Sequence, residues 1–153
     1  MPIRKVSSAD AEITYQIRNA AIRAQCAGFY APDLIDAWTA GHHADWFAGK
    51  YTEHFYVLEV AGQACATGML HLDKGQLDAI FVRPEYMQQG LGKTMVAFLE
   101  RLAQQHGLKQ LCLESTLNAA AFYRTCGFVG DEVSQYHSPR GFSLDCVRMV
   151  KVI

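Results

Sequence analysis

The sequence predicts an α+β domain with a mixed sheet, in the order β-α-α-β-β-β-α-β-α-β-β. Three observations carry this class. Apolar residues recur at helical spacing before residue 28, the pattern changes to short alternating strands from His54, and a strongly amphipathic helix begins at Gly90. The chain has 153 residues, enough for one domain and too few for two that each bury a core, so residues 1–153 are read as one domain.

Each element has its own signal. Ile3 to Val6 forms a short first strand, and Ser8 is placed to cap a helix whose stripe is Ile13, Ile17, Ala20, Ala21 and Ala24. That helix ends between Cys26 and Gly28. Pro32 suits the first position of a second helix through Trp38, stopped at Gly41. The aromatic stretch Phe29 to Tyr51, with Trp46 and Phe47 inside it, reads as a helical flap over one end of the sheet. Phe55 to Val60, Ala64 to Leu72 and Leu77 to Val82 follow as an antiparallel meander, joined at Ala61-Gly62 and Asp73-Lys74-Gly75. Pro84 ends the third of these strands. The helix from Gly90 buries Leu91, Met95, Phe98, Leu99 and Leu102, and Gly107 closes it. Gln110 to Leu113 is a fifth strand, Asn118 to Thr125 a short helix stopped by Gly127, and Val129–His137 and Leu144–Val152 are the last strands.

Composition excludes several functions. Half of the residues are apolar and 19% charged, which is not the composition of a disordered chain. Lys plus Arg (14) nearly cancels Asp plus Glu (15), so the surplus of positive charge that binds nucleic-acid phosphates is missing. No apolar run approaches the roughly 20 residues that span a bilayer. Arg4 and Lys5 lead into polar residues with no cleavage pattern, and a cytoplasmic location is expected. Five cysteines without C-x-x-C spacing point to reduced thiols, and no metal site is expected, because adjacent His42 and His43 point about 100° apart on a helix.

Ile80 to Lys93 is the most informative segment: a strand, a tight loop with Gly90 and Gly92, and a helix start. Free N–H groups and the positive helix end suit a phosphate or pyrophosphate there, although the glycines could serve the turn and helix packing alone. Walker A fits only at Gly92-Lys93-Thr94, since Met87 stands where its first glycine belongs, and a dinucleotide fingerprint lacks its third glycine at Met95. A P-loop-like nucleotide binder is therefore the weaker reading.

The run Met87 to Gly92 resembles the acetyl-CoA loop [RQ]-x-x-G-x-[GA] of the Gcn5-related N-acetyltransferase (GNAT) superfamily, with Met87 in place of Arg or Gln. Asn118, Ala121, Phe122, Tyr123, Gly127 and Phe128 are similar to a second region of that family, with a shorter Asn-to-Tyr interval. The resemblance implies the acyl-CoA N-acyltransferase fold, its sheet splayed between strands 4 and 5. It also implies an acetyl-CoA-dependent N-acetyltransferase that acts on a primary amine of a small molecule or peptide by direct attack in a ternary complex. A non-catalytic acyl-CoA-binding or regulatory module of the same fold is the alternative, favoured by Met87 and by Gln76 where several relatives carry a glutamate base. A homodimer through the terminal strands is allowed by the same likeness.

By that likeness, Ile80, Phe81 and Val82 lie along the pantetheine arm, and Gln88, Gln89, Gly90, Leu91, Gly92 and Lys93 hold the pyrophosphate. Asn118 either bonds the pantetheine or caps its helix. Strand alternation places Gln76, Asp78, Ile80 and Val82 on one face and Leu77, Ala79 and Phe81 on the other. An amine with a pKa of about 10.4 must lose a proton to attack. Asp78, directly or through water, is the first base candidate and His71 the second; each is also readable as a structural polar residue. Tyr123 matches the family's acid beside the departing sulfur, or else is a core aromatic. Phe29, Tyr30 and Trp38 are candidates for the acceptor-binding wall, and equally for core.

Overall fold

The computed structural model describes residues 2–44 and 54–153. In chain order it contains β1 (Ile3–Lys5), a 3-10 turn (Ser8–Asp10), α1 (Ala11–Gln25), α2 (Pro32–Thr39), β2 (His54–Val60), β3 (Gln63–His71) and β4 (Gln76–Val82). A second 3-10 turn (Pro84–Tyr86), α3 (Leu91–Gln105), β5 (Gln110–Thr116), α4 (Ala120–Thr125), β6 (Val133–His137) and β7 (Ser143–Val152) complete it. Among the described residues, these strands and helices run in the predicted order. Trp46, Phe47 and Tyr51 of the expected flap lie outside the described residues.

The seven strands form one sheet in the order β1-β2-β3-β4-β5-β7-β6. Every neighbouring pair is antiparallel except β4 and β5, which run parallel and share a single register pair, Gln76 with Cys112. Beyond that pair the two strands diverge, which is the splay between strands 4 and 5. On their other edges β4 pairs with β3 and β5 with β7, so each strand is held in the sheet without the other.

The sheet is covered on both faces. Met95, Leu99 and Ala103 of α3 and Tyr123 of α4 pack on one face with Leu58, Leu70, Leu77 and Leu111. Met95 and Leu99 are fully buried, and such side chains each contribute about 1.5–3 kcal/mol. Ile17 of α1 closes over Phe55, Val57 and Met69 on the other face. The start of α1 is pinned by a fork of hydrogen bonds from Arg4 to both carboxylate oxygens of Asp10, each 2.8 Å, while the Ser7 amide donates to Asp10 Oδ2 at 2.8 Å. Asp10, rather than the expected Ser8, stands at the N-cap of α1, and Ser7 caps the 3-10 turn before it.

One expectation about β4 fails. Thr67 faces Phe81 and Met69 faces Asp78, so Ala79 and Ile80 together oppose Gly68. This is a β-bulge, with Ala79 at φ +53° and its carbonyl accepting the Thr67 hydroxyl at 2.6 Å. The extra residue breaks the alternation: Leu77, Ile80 and Val82 pack on the α3 face, Ala79 and Phe81 on the α1 face. Asp78, directly across from buried Met69, also belongs to the α1 face, not with Ile80 and Val82. At the other end of the sheet, β6 starts at Val133, four residues later than expected, because Val129 makes only an isolated bridge with Val150.

Candidate active site

The loop after β4 leaves its amides facing outward. Met87 is extended, Gln88 takes φ +62° and Gly90 φ +81°, and α3 begins at Leu91. The Thr94 amide is the first to return a helical bond, to Gly90 O at 3.0 Å. Among the described residues, no acceptor takes the amides from Gln88 to Lys93. The two glycines have separate jobs. Gly90 supplies the left-handed conformation with open space beside it, whereas a Cβ on Gly92 would stand 3.0 Å from the Phe122 ring. Met87 faces the end of α1, where Gln25 Nε2 donates to its sulfur at 3.1 Å.

Where β4 and β5 part, a cavity of about 500 Å³ opens. Its floor is β4 from Gln76 to Phe81 and β5 from Leu113 to Thr116, and α1, α4 and the β6–β7 loop form its rim. Past Gln76 the β4 edge facing β5 has no strand partner among the described residues. A ligand arm entering the splay thus meets unpaired backbone groups, as in strand addition. An open strand edge that runs into a ring of free amides at a helix start fits an acyl-CoA: extended amide arm first, pyrophosphate second.

Tyr123 and Asp78 both line the cavity, although they come from opposite faces of the sheet. Burial first, and then the charge of Asp78, push the Tyr123 phenol well above its ordinary value, so it keeps its proton. No hydrogen bond within the described residues engages its hydroxyl. Asp78 Oδ1 accepts the bulged Ala79 amide at 2.7 Å, and Oδ2 lies 3.5 Å from His71 Nε2. The bulge thereby orients the carboxylate, with the second base candidate beside it.

The other expected residues divide. Ile80, Phe81, Asn118 and Trp38 line the cavity. Val82 lies beyond it, packed with the α3 cluster. Asn118 does not cap α4; its side-chain oxygen receives the Cys26 thiol at 3.3 Å. Phe29 is 56% exposed and lines no part of the cavity. Tyr30 is a strut: its hydroxyl donates to Asp145 O at 2.6 Å and accepts the Leu117 amide at 3.0 Å, and its ring meets Trp38 edge-on. That tie from the α1–α2 connection to α2, to the residue after β5 and to β7 explains its burial. Cys112 and Cys126 are free thiols raised by burial, poor nucleophiles at neutral pH. His42 and His43 do not point apart; their rings meet at 4.0 Å. Among the described residues, no cluster is able to hold a metal and no helix is long and apolar enough to cross a membrane.

Sequence reasoning missed Arg18 and Arg140, which line the α1 side of the cavity. Arg18 is only 6% exposed, donating to Asn19 Oδ1 at 2.6 Å and Trp38 O at 3.0 Å. A signal was present: Ala21 and Ile22, three and four residues on, are core positions of the same helix face.

Comparison with known proteins agrees with this geometry. A family model described as the acetyltransferase (GNAT) domain matches residues 51–130. The "GCN5-Related N-acetyltransferase: Aminotransferase, Class-II" of Rhodopseudomonas palustris superposes with a TM-score of 0.92 at 25% identity, covering 99% of this chain and 95% of that one. The PaiA N-acetyltransferase of Thermoplasma acidophilum, in complex with coenzyme A, gives 0.73 at 16% identity, covering 99% and 98%. The ribosomal-protein-S18-alanine N-acetyltransferase of Escherichia coli gives 0.72 at 22%, covering 99% and 93%. With the family model spanning more than half of its length, the chain belongs to the GNAT family of acetyltransferases, and its enzyme class is N-acetyltransferase.

Proposed function

We propose that residues 1–153 form a single domain that transfers the acetyl group of acetyl-CoA to a primary amine, by direct attack while both are bound. The carrying observation is the run of unpaired amides from Gln88 to Lys93 at the open end of the splayed β4 edge. The coenzyme A held by the similar Thermoplasma protein supports the same reading. Gln88, Gln89, Gly90, Leu91, Gly92 and Lys93 would hold the pyrophosphate, and the β4 edge beside Ile80 and Phe81 the pantetheine. When bound, acetyl-CoA supplies an acetyl group already activated as a thioester.

The chain's own residues then handle protons and position. Asp78 takes the proton of the acceptor ammonium at Oδ2, directly or through water, and His71 Nε2 stands 3.5 Å from that oxygen. Tyr123 keeps a protonated phenol in the cavity and offers it as donor to the leaving sulfur. Gln76 lines the cavity but has no proton-accepting group of useful basicity. Assaying CoA release over a panel of primary amines tests this. Tyr123→Phe should lower kcat by about 100-fold or more while acetyl-CoA affinity stays within about twofold. Unchanged turnover would remove Tyr123 from the mechanism.

A further inference from the structure

The end of α1 spans the mouth of the splay, and two consecutive residues there reach opposite flanks. Gln25 Nε2 donates to the sulfur of Met87, past the end of β4, at 3.1 Å. The Cys26 thiol donates to Asn118 Oδ1, past the end of β5, at 3.3 Å. Neither contact is local, since 62 and 92 positions of chain separate the partners. The turn that carries them is itself closed: the Cys26 amide returns to Ile22 O at 2.9 Å, and the Cys26 carbonyl accepts the Phe29 and Tyr30 amides at 3.0 and 3.2 Å. Buried Cys26 thus anchors the helix end on the β5 flank, and the Gln25 side chain extends from it to the β4 flank.

This bridge lies on the path of a bound cofactor. Gln25, Cys26 and Asn118 all line the cavity, while Met87 directly precedes the run of amides from Gln88 to Lys93. An arm that starts on those amides and ends beside Tyr123 crosses the line between Gln25 and Met87. The bond on that line is easily exchanged. A thioether sulfur is a weak acceptor, whereas phosphate and amide oxygens are strong ones, so the carboxamide gains by changing partner. The exchange takes rotation of one long side chain on a helix end that its own turn holds in place.

From this arrangement we propose that Gln25 is a cofactor-binding residue: when acyl-CoA binds, its Nε2 leaves the Met87 sulfur and donates to an oxygen of the arm next to the pyrophosphate. The proposal rests on the acyl-CoA reading above and adds to it a contact from outside the loop and the strand edge.

The test is calorimetric titration of acetyl-CoA into the parent protein, Gln25→Ala, Gln25→Glu and Met87→Leu. Gln25→Ala should raise Kd by about five- to tenfold, the loss of one hydrogen bond, and Gln25→Glu, which keeps the length but offers no donor, by at least as much. Met87→Leu, which removes the sulfur and keeps the bulk, should leave Kd within about twofold or tighten it, because the carboxamide in the complex is bonded to the cofactor. Gln25 is exposed, so its variants should fold, with melting temperatures within about 2 °C of the parent. If the contact served only to tie α1 to the loop, Met87→Leu would weaken binding as much as Gln25→Ala; that result overturns the proposal. An unchanged Kd in Gln25→Ala overturns it too, and leaves the acyl-CoA reading standing. No binding of acetyl-CoA by the parent overturns the underlying reading as well.

Discussion

The two sides of the cleft are built from different materials. On the side of the β4 edge and the 88–93 loop, the groups offered to a ligand are backbone amides. On the α1 side they are side chains, Arg18, Trp38 and Arg140, brought together from three separate elements. Backbone recognition depends on conformation and tolerates many side chains, so it suits a cofactor shared by many enzymes. Side-chain recognition depends on identity, and it can change with the acceptor.

Substitutions can break this contrast. The largest effect is expected at Gly90, whose φ of +81° a β-branched residue resists. Gly90→Val should weaken acetyl-CoA binding by roughly 30-fold or more, by the loss of several amide contacts, with a smaller effect on acceptor KM. Calorimetric titration of acetyl-CoA checks it. Next comes Ala79, buried and at φ +53° in the bulge. Ala79→Val should cost about 1–3 kcal/mol by urea unfolding and lower turnover as Asp78 loses its orientation.

A smaller effect is expected at the foot of α1. The Arg4 fork, chiefly, and the Ser7 amide hold the Asp10 carboxyl down at about 2, below its unfolded value of about 3.9. A depressed carboxyl stabilises the fold above the unfolded value, and that contribution disappears as pH falls through about 2. Since 42% of the Arg4 side chain is exposed, water screens the pair, and Asp10→Asn should cost only about 1 kcal/mol at neutral pH. The difference between the variant and the parent should shrink in unfolding experiments run below pH 4. Smallest of all is Cys126→Ser, expected to change turnover by less than about twofold, because direct transfer uses no thiol.

The same contrast governs how much was legible in the sequence. The 88–93 loop was readable because its glycines, the preceding proline and the amphipathic helix are local signals. The splay between β4 and β5 came through the family resemblance, not through periodicity. The bulge was not readable: an alanine at positive φ leaves no mark in the sequence, and the register that creates it belongs to Gly68 on another strand. One inserted residue moved Asp78 to the opposite face from the one alternation assigns, yet still into the cavity. Tyr30 and Phe29 looked alike as aromatics in an irregular stretch, but one is a buried strut and the other is exposed. Arg140 was missed because its place on the cavity wall opposite α1 is tertiary, made across 122 positions of chain from Arg18.

The central claim is that the loop and the open strand edge bind an acyl-CoA. A thermal-unfolding titration with acetyl-CoA, CoA and Mg-ATP in parallel tests it without needing the acceptor. At 100 times Kd, the account predicts about 2.7 kcal/mol of stabilisation by either CoA species, a rise in Tm of roughly 5–10 °C, and none by Mg-ATP. No shift with acetyl-CoA or CoA, in protein shown to be free of co-purified cofactor, would contradict it.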